Sequence, residues 1–177
     1  SDIDLRFTSN IWITGADQEA DLEIRYGKGN WPDFTSDRLT WDQLMPVCSS
    51  TLLYQKSIPH QPGDLNNYTL LHVIGYEEGW GHWLKQLGHH AIDASQGIHF
   101  DSLMTAMEMA AHGHGIALSR SSLASEMLKS DRLIAPFNES IAAAESFFLV
   151  TPSNKPIQSH AQKFKDWLIQ EAAKSRL

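Results

Sequence analysis

Cysteine is almost missing from this sequence, since Cys48 is the only one in 177 residues. A single cysteine excludes an intramolecular disulfide, which is typical of cytosolic proteins, although many periplasmic proteins also lack disulfides. Positive charge is scarce as well: 14 lysines and arginines stand against 21 aspartates and glutamates, for a net charge of -7. A surface of that sign repels DNA phosphate, so this chain by itself is predicted to be a poor nucleic-acid binder.

Long apolar runs are also lacking. No stretch approaches the roughly 18 apolar residues that a membrane span needs, and the start, SDIDLRF, has neither the basic residues nor the apolar core of a signal peptide. We therefore predict a cytoplasmic protein with no membrane contact. Because the chain opens almost inside a strand pattern, we expect it to be a piece of a larger protein.

Motifs for catalysis and metal binding are absent too. The nine histidines include the neighbours His89–His90 and the pair His112 and His114, but neither group is followed by a carboxylate or cysteine at a ligand interval. There is no G-x-S-x-G nucleophile elbow, and Cys48 has no activating base nearby in sequence. The sequence thus predicts no metal, no cofactor and no enzymatic activity.

Strand and helix patterns alternate along the chain. Alternating apolar residues predict strands at residues 3–7 and 22–26, and helical spacing predicts helices around Trp80–Leu87, Leu103–Ala110 and Ala161–Ala172. The run RLTWDQLMPVCSS predicts one long strand or two, with its proline at an edge or a bend. With 42% apolar residues to form a core, this order predicts an α/β protein with parallel sheets.

Two local features are candidates for ligand binding. The strand DLEIRY breaks into Gly27-Lys28-Gly29, which lacks the full spacing of a phosphate-binding loop, so an ordinary strand-exit turn explains it better. The second is the helix start at Asp101-Ser102, where unpaired N–H groups and a hydroxyl suit a small carboxylate; a simple helix cap is the plainer alternative. Trp31 and Trp41 are equally compatible with a pocket wall and with a core.

Three stretches resemble the effector-binding domain of LysR-type transcriptional regulators. They are ADLEIRYGKGNWP, FDSLMTAMEMAAHGHGIALSRSSLASEMLKSDRLIAPF and the closing FFLVTP with FKDWLIQEA. They are most similar to the subgroup of the glycine-cleavage activator and the β-lactamase regulator. Their order and spacing match from about Ile3 to the C-terminus, so the resemblance covers nearly the whole chain.

The resemblance implies a type II periplasmic-binding-protein-like fold, with two α/β lobes, a cleft between them and two crossover strands. Lobe I is expected to comprise residues 1–69 and 146–177, and lobe II residues 70–145. Family domains begin with a further strand and helix that this chain lacks, as it lacks the winged helix-turn-helix that binds DNA. One wall of the effector site is therefore expected to be missing.

By position in the family pattern, the resemblance also implies an effector site. The residues expected to contact the ligand are Tyr26, Gly27, Trp41, His72, Asp101, Ser102, Ser119 and Phe147. The β-lactamase regulators carry a tyrosine where this chain has Phe147, so their peptide-type effector is not expected here.

The resulting functional hypothesis is a regulatory module that senses a small anionic or zwitterionic metabolite. The family implies a homodimer or tetramer that contacts DNA only through the missing N-terminal domain. The alternative is a periplasmic solute-binding protein of a transporter with the same fold.

Overall fold

The structure, a computed structural model, describes residues 20–52 and 57–174. The helices and strands, in chain order, are β1 (Glu23–Gly27), β2 (Phe34–Arg38), β3 (Gln43–Val47), a 3₁₀ helix (Pro62–Asn67), β4 (Leu70–Val73), α1 (Trp80–Gln86), β5 (Ile98–Phe100), α2 (Leu103–Ala111), β6 (Ile116–Arg120), α3 (Ser121–Lys129), β7 (Ile141–Ala142), β8 (Ser146–Pro152) and α4 (Ser159–Lys174). The strand predicted at residues 3–7 lies outside the described residues.

The chain divides into two compact units. One runs up to Trp41 and resumes at Glu145, and the other comprises Asp42–Ala144. The expected lobe boundary at residues 69 and 70 must be corrected, because β3 pairs with β6 and β7 inside the second unit. Residues 42–69 therefore belong with the second unit, and the second division falls at 144/145 rather than at 145/146.

The described part of the first unit contains an antiparallel sheet in the order β1-β8-β2. The central strand β8 buries Leu149 and Val150, whereas β1 leaves Ile24 56% exposed. Helix α4 presents half-buried rather than buried side chains, so its predicted inward face is only partly covered. Lys165 on α4 forms an ion pair with Asp37 of β2 at 2.7 Å.

The second unit is built on a mixed sheet in the order β5-β4-β6-β3-β7. The pairs β4–β5 and β4–β6 are parallel, while β3 runs antiparallel to both β6 and β7. The prediction of parallel sheets was therefore right for only three strands. It was wrong for β3 and for the described strands of the first unit, because pairing direction depends on distant parts of the chain.

Pro46 shows how the mixed sheet accommodates a residue without an N–H donor. It lies opposite Leu118 of β6, but on its other side the last β7 pair is Leu44 with Ile141, and the next contact is the bridge between Cys48 and Ile134. Pro46 thus occupies a short local edge, as a residue that cannot donate to the ladder requires.

Helices cover both faces of this sheet and create two cores. On one face α1 packs Trp80, Trp83 and Leu84 against Leu70 and Ile116. On the other face α2 and α3 pack Met107 and Ala124, among others, against Leu71 and Ala117. The alternation of Leu70 with Leu71 and of Ile116 with Ala117 is the two-residue period of strands buried on both sides.

The helix predictions are confirmed in this unit. The indole N–H of Trp80 donates to the Leu71 carbonyl and that of Trp83 to the Leu44 carbonyl, each at 3.1 Å, so both tryptophans are satisfied core residues. Gly88 after α1 and Gly113 after α2 both have φ of +79°, the left-handed conformation that ends helices.

Candidate functional site

The carboxyl ends of β5, β4 and β6 meet at one edge of the second unit's sheet, because these three strands are parallel. The chain leaving β4 leads to α1 on one face of the sheet, whereas β5 and β6 lead to α2 and α3 on the other face. A crevice forms where neighbouring strands send their connections to opposite faces, and α/β proteins bind ligands there.

A pocket lies at this edge, between the ends of β4 and β6. It has a cavity volume of about 30 Å³, and its lining residues are Leu71, His72, Val73, Tyr76, Glu78, Gly79, Trp80, Leu118 and Arg120. This volume is roughly the space that one water molecule occupies. The pocket therefore has room for about one water-sized group, while a complete small-molecule site is usually ten times larger.

A buried guanidinium dominates the charge of this pocket. Arg120 is only 1% exposed, and its guanidinium carbon lies 3.9 Å from the ring centroid of Tyr76. The guanidinium of arginine is a planar cation with five N–H donors. The ring face stabilises the cation and leaves the N–H donors, which lie in the guanidinium plane, directed away from the ring.

A buried carboxylate lines the same pocket. This carboxylate belongs to Glu78, which is only 5% exposed. Its Oε1 accepts the backbone N–H of Ala144 at 2.9 Å and lies 3.8 Å from Nε2 of His82. Glu78 directly precedes Gly79, the N-cap of α1, whose first residue Trp80 is buried.

The helix start predicted at Asp101-Ser102 is present at the end of β5. Ser102 is the N-cap of α2 in extended conformation and is half-buried, while Asp101 is exposed. The Ser102 hydroxyl makes no capping hydrogen bond. The plain capping explanation therefore does not account for this hydroxyl.

His72 lies on β4, directly opposite His99 of β5. The two imidazoles stack with centroids 4.5 Å apart and planes inclined by 17°. The Nε2 atom of His72 is 3.0 Å from the carbonyl oxygen of Gln96. His72 also lines the pocket, so this predicted site residue and the Arg120–Glu78 region belong to one surface.

Ser119 lies in a different environment from the one expected. It is fully buried on β6, and its hydroxyl donates to the Met107 sulfur at 2.9 Å and approaches the Arg120 carbonyl at 3.4 Å. The side chain belongs to the core between β6 and α2. We therefore leave Ser119 out of the proposed ligand contacts.

In the first unit, Tyr26 and Phe147 form a facing pair across β1 and β8. Their ring centroids are 5.1 Å apart. Gly27 follows with φ of +152°, and a Cβ there would lie 3.1 Å from the Trp31 ring. Local packing on an aromatic side chain is thus sufficient to explain this glycine.

The two undecided tryptophans of this unit both contact arginines. Trp31 packs edge-on against Phe148 and lies 5.9 Å from the guanidinium of Arg25. Trp41 lies 5.6 Å from that of Arg38. Both rings are half-buried in these contacts.

Residues 20–52 and 57–174 provide neither a metal site nor a membrane-spanning helix. No group of three histidine, cysteine, aspartate or glutamate side chains there is arranged to hold a metal ion. None of the helices in this part of the chain is both long enough and apolar enough to cross a bilayer.

Comparison with known proteins identifies the family. The family model described as "LysR substrate binding domain" matches residues 2–173. The chain belongs to the LysR substrate-binding domain family. The predicted family and the type II periplasmic-binding-protein-like fold are therefore confirmed.

Several relatives refine this placement. The glycine cleavage system transcriptional activator of Escherichia coli K12 is 32% identical over 155 residues, covering 88% of this chain and 50% of the relative. The transcriptional activator AmpR of Enterobacter cloacae is 29% identical over 174 residues, covering 97% of this chain and 58% of the relative. The effector domain of AmpR from Pseudomonas aeruginosa superposes with a TM-score of 0.82 at 27% identity, covering 97% of this chain and 82% of that one.

These relatives are transcriptional regulators, which are not enzymes, and they give the transport alternative no support. The chain spans about half the length of the curated relatives it matches. Its LysR fold supplies the two α/β units expected of an effector-binding domain.

Proposed function

We propose that this LysR domain binds a small metabolite and transmits its occupancy to transcription as part of a longer regulator. The observation that carries the proposal is the pocket at the carboxyl ends of β4 and β6, lined by buried charges of both signs. A pocket at the carboxyl ends of parallel strands, lined by apolar and a few polar side chains, is a usual place for a ligand in an α/β protein, so its position favours a binding role.

The proposed contacts in the second unit lie at the strand edge that holds this pocket. His72 lines it, and Asp101 and Ser102 follow β5 at the same edge of the sheet. The contacts proposed from Tyr26, Gly27, Trp41 and Phe147 rest on the family pattern, and the cleft between two lobes stays a prediction. Nothing in the pocket requires a cofactor, and we propose binding without chemical conversion.

An effector controls such a module through differential affinity. A ligand shifts a two-state equilibrium only as far as it binds one state more tightly than the other. We propose that a homodimer or tetramer converts this difference into altered DNA binding through a segment outside this chain. Such a regulator works in the cytoplasm, where its DNA lies.

Thermal unfolding of the 177-residue chain tests the proposal. The probes are amino acids, small carboxylates and cell-wall fragments, each added at up to millimolar concentration. A ligand present at 100 times its Kd stabilises the folded state by about 2.7 kcal/mol, which raises Tm by roughly 5–10 °C in a protein of this size. If no compound in a broad metabolite panel raises Tm, the effector-binding role is refuted.

Ser102 allows a matched test of the site. Because its hydroxyl makes no capping hydrogen bond, Ser102→Ala is expected to change the free energy of unfolding by less than about 0.5 kcal/mol while weakening effector binding. Ser130→Ala is the control, since that hydroxyl donates to the Glu126 carbonyl at 2.7 Å on α3. Equal effector affinity in the Ser102 variant and the unmodified chain would remove Ser102 from the site.

A further inference from the structure

The two chain connections between the compact units contain buried oxygens that make no hydrogen bond. The chain passes from one unit to the other at 41/42 and at 144/145. Asp42 is 2% exposed and Ser146 is fully buried, yet Asp42 Oδ2 and Ser146 Oγ make no hydrogen bond within the described part of the chain. Leaving a buried polar atom unbonded costs free energy, so such atoms are rare in folded proteins and call for an explanation.

We propose that Asp42 Oδ2 and Ser146 Oγ are switch groups of the regulator. They lack partners in the conformation that the structure shows and gain hydrogen bonds in a second conformation, the one that the effector stabilises. A group that is satisfied in only one of two conformations lowers the free energy of that one relative to the other, so the effector must supply less differential affinity to shift the equilibrium. The inference rests on the proposed effector-binding function.

Asp42 is bonded through only one of its two carboxylate oxygens. Its Oδ1 accepts the N–H of Ser122 at 2.7 Å and the O–H of Ser121 at 3.3 Å, at the start of α3. Its backbone carbonyl accepts the N–H of Ala143 at 2.9 Å, which joins the two connections inside the second unit. Asparagine or serine would cap α3 as well without a buried charge. Helix capping alone therefore does not explain an aspartate at this position.

Ser146 is the first residue of β8, and its neighbour across the sheet on β1 is Gly27, which has no side chain to bond the hydroxyl. Alanine would fill the same place without burying a hydroxyl, so packing alone does not explain the serine. The next residue of β8 is Phe147, one of the proposed ligand contacts. A rearrangement at the start of β8 would therefore reach the proposed site directly.

Hydrogen exchange followed by mass spectrometry tests where the rearrangement occurs. The probe is the compound from the thermal panel of amino acids, small carboxylates and cell-wall fragments that raises Tm most, added to the 177-residue chain. The exchange rates of peptides that cover residues 39–44 and 143–148 are expected to change on binding, because amide exchange reports local changes in hydrogen bonding and opening. If the compound binds and both peptides exchange as before, the inference is overturned and the effector-binding role stands.

Ser146→Ala is the first decisive variant. It removes a hydroxyl that has no partner in the conformation shown, so the Tm of the free chain should stay the same or rise by up to about 4 °C. The affinity for the panel compound should fall roughly three- to tenfold, because the second conformation loses a hydrogen bond. Ser119→Ala is the stability control, since that equally buried hydroxyl donates to the Met107 sulfur at 2.9 Å and its loss should lower Tm.

Asp42→Asn is the second variant. The amide keeps an oxygen that accepts the Ser122 N–H and places an NH₂ group where Oδ2 lies, so it cannot accept a new hydrogen bond there. Tm should not fall, since asparagine caps helices as well as aspartate, whereas the affinity should fall roughly three- to tenfold. Asp131→Asn removes the same charge from an exposed residue with φ of +55°, which asparagine tolerates, and should leave both quantities unchanged.

The outcomes separate this inference from the proposed function. Weaker binding in both variants without a lower Tm supports the switch groups. A lower Tm in either variant would show that the oxygen is already bonded, for instance by a buried water molecule. Unchanged affinity in either variant would show that its oxygen has the same surroundings in both conformations. Each of these two results overturns the inference and leaves the effector-binding role intact, whereas both proposals fail if no compound in the panel binds.

Discussion

At the scale of single residues, the charged groups of the pocket show what sequence patterns can miss. Arg120 closes the run GIALSR, whose other members are buried core residues, and Glu78 precedes an apolar helix face. Charged residues next to buried segments are the signal that could have identified both. The burial of Glu78 depends on the fold, because its carboxylate accepts the N–H of Ala144, which lies 66 residues further along the chain.

Cys48 gives a prediction about pH that follows from burial alone. The thiol is fully buried between β3 and the Ile134 bridge, and burial raises the pKa of Cys48 from 9.0 to about 12. Between pH 9 and 12 the unfolded chain therefore loses a proton that the folded chain keeps. The free energy of unfolding is expected to fall as pH rises through this range, by about 1.4 kcal/mol per pH unit from this group.

Urea unfolding at pH 8, 9 and 10 checks this, with Cys48→Ala as the control. Lysine and tyrosine groups titrate in both proteins, so the difference between the two curves isolates the thiol. The unmodified chain should lose stability faster than the variant above pH 9. Parallel curves would show that the folded thiol ionises normally.

At the scale of elements, the glycines distinguish close packing from open surface. A Cβ on Gly115, just before β6, would collide with the carbonyl oxygen of Thr69, whereas one on Gly81 in α1 would meet nothing within 4 Å. Gly115→Ala is expected to destabilise by about 1–3 kcal/mol through overpacking. Gly81→Ala is expected to stabilise by about 0.5–1 kcal/mol, because alanine loses less backbone entropy in a helix.

Thermal unfolding of the two variants measures these opposite signs in one experiment. The pair is its own control, because both changes add the same methyl group. A destabilised Gly81→Ala variant would show that the exposed face of α1 is tighter than described, and an unaffected Gly115→Ala variant would show that β4 and β6 can separate at this point.

Helix α1 supplies a second prediction at this scale. Trp83 is fully buried, packs edge-on against Trp80 with centroids 5.8 Å apart, and donates to the Leu44 carbonyl across to β3. Trp83→Phe removes the donor and part of the ring, so it is expected to cost about 2–4 kcal/mol. Trp167→Phe on α4, where the side chain is 51% exposed, should cost less than about 0.5 kcal/mol.

Denaturant unfolding followed by far-ultraviolet circular dichroism is the suitable measurement, because tryptophan fluorescence changes in both variants. Similar losses of unfolding free energy in the two variants would mean that the contact of Trp83 with β3 does not stabilise the core.

The elements also show how far the sequence predicts the fold. Helices α1 and α2 were predictable because their apolar spacing and terminal glycines are local signals. The antiparallel addition of β3 to a parallel core was not, since its partners β6 and β7 lie about 70 to 100 residues further along the chain. For the same reason, the sequence placed the lobe boundary at 69/70, whereas the structure divides at 41/42. It also could not show that Ser119 is buried in the core. Of the residues that line the pocket, the sequence pointed to His72, whereas Arg120 and Glu78 required the fold.

At the scale of the whole molecule, the net negative charge of this domain opposes DNA binding. The net charge of -7 gives this LysR domain a surface that repels the phosphate backbone, and the chain spans about half the length of its curated relatives. If DNA contact belongs to a segment outside this chain, as we propose, the 177-residue domain alone should not bind duplex DNA. We expect no change in the fluorescence anisotropy of a labelled duplex at about 50 mM salt and protein concentrations up to about 10⁻⁵ M, where many basic DNA-binding proteins already bind non-specifically.

The longer regulator is the positive control and should bind with an affinity that falls as salt rises. Salt-dependent binding by the isolated domain would place a DNA-contacting surface within these residues despite their negative charge, and would contradict the proposed division of labour.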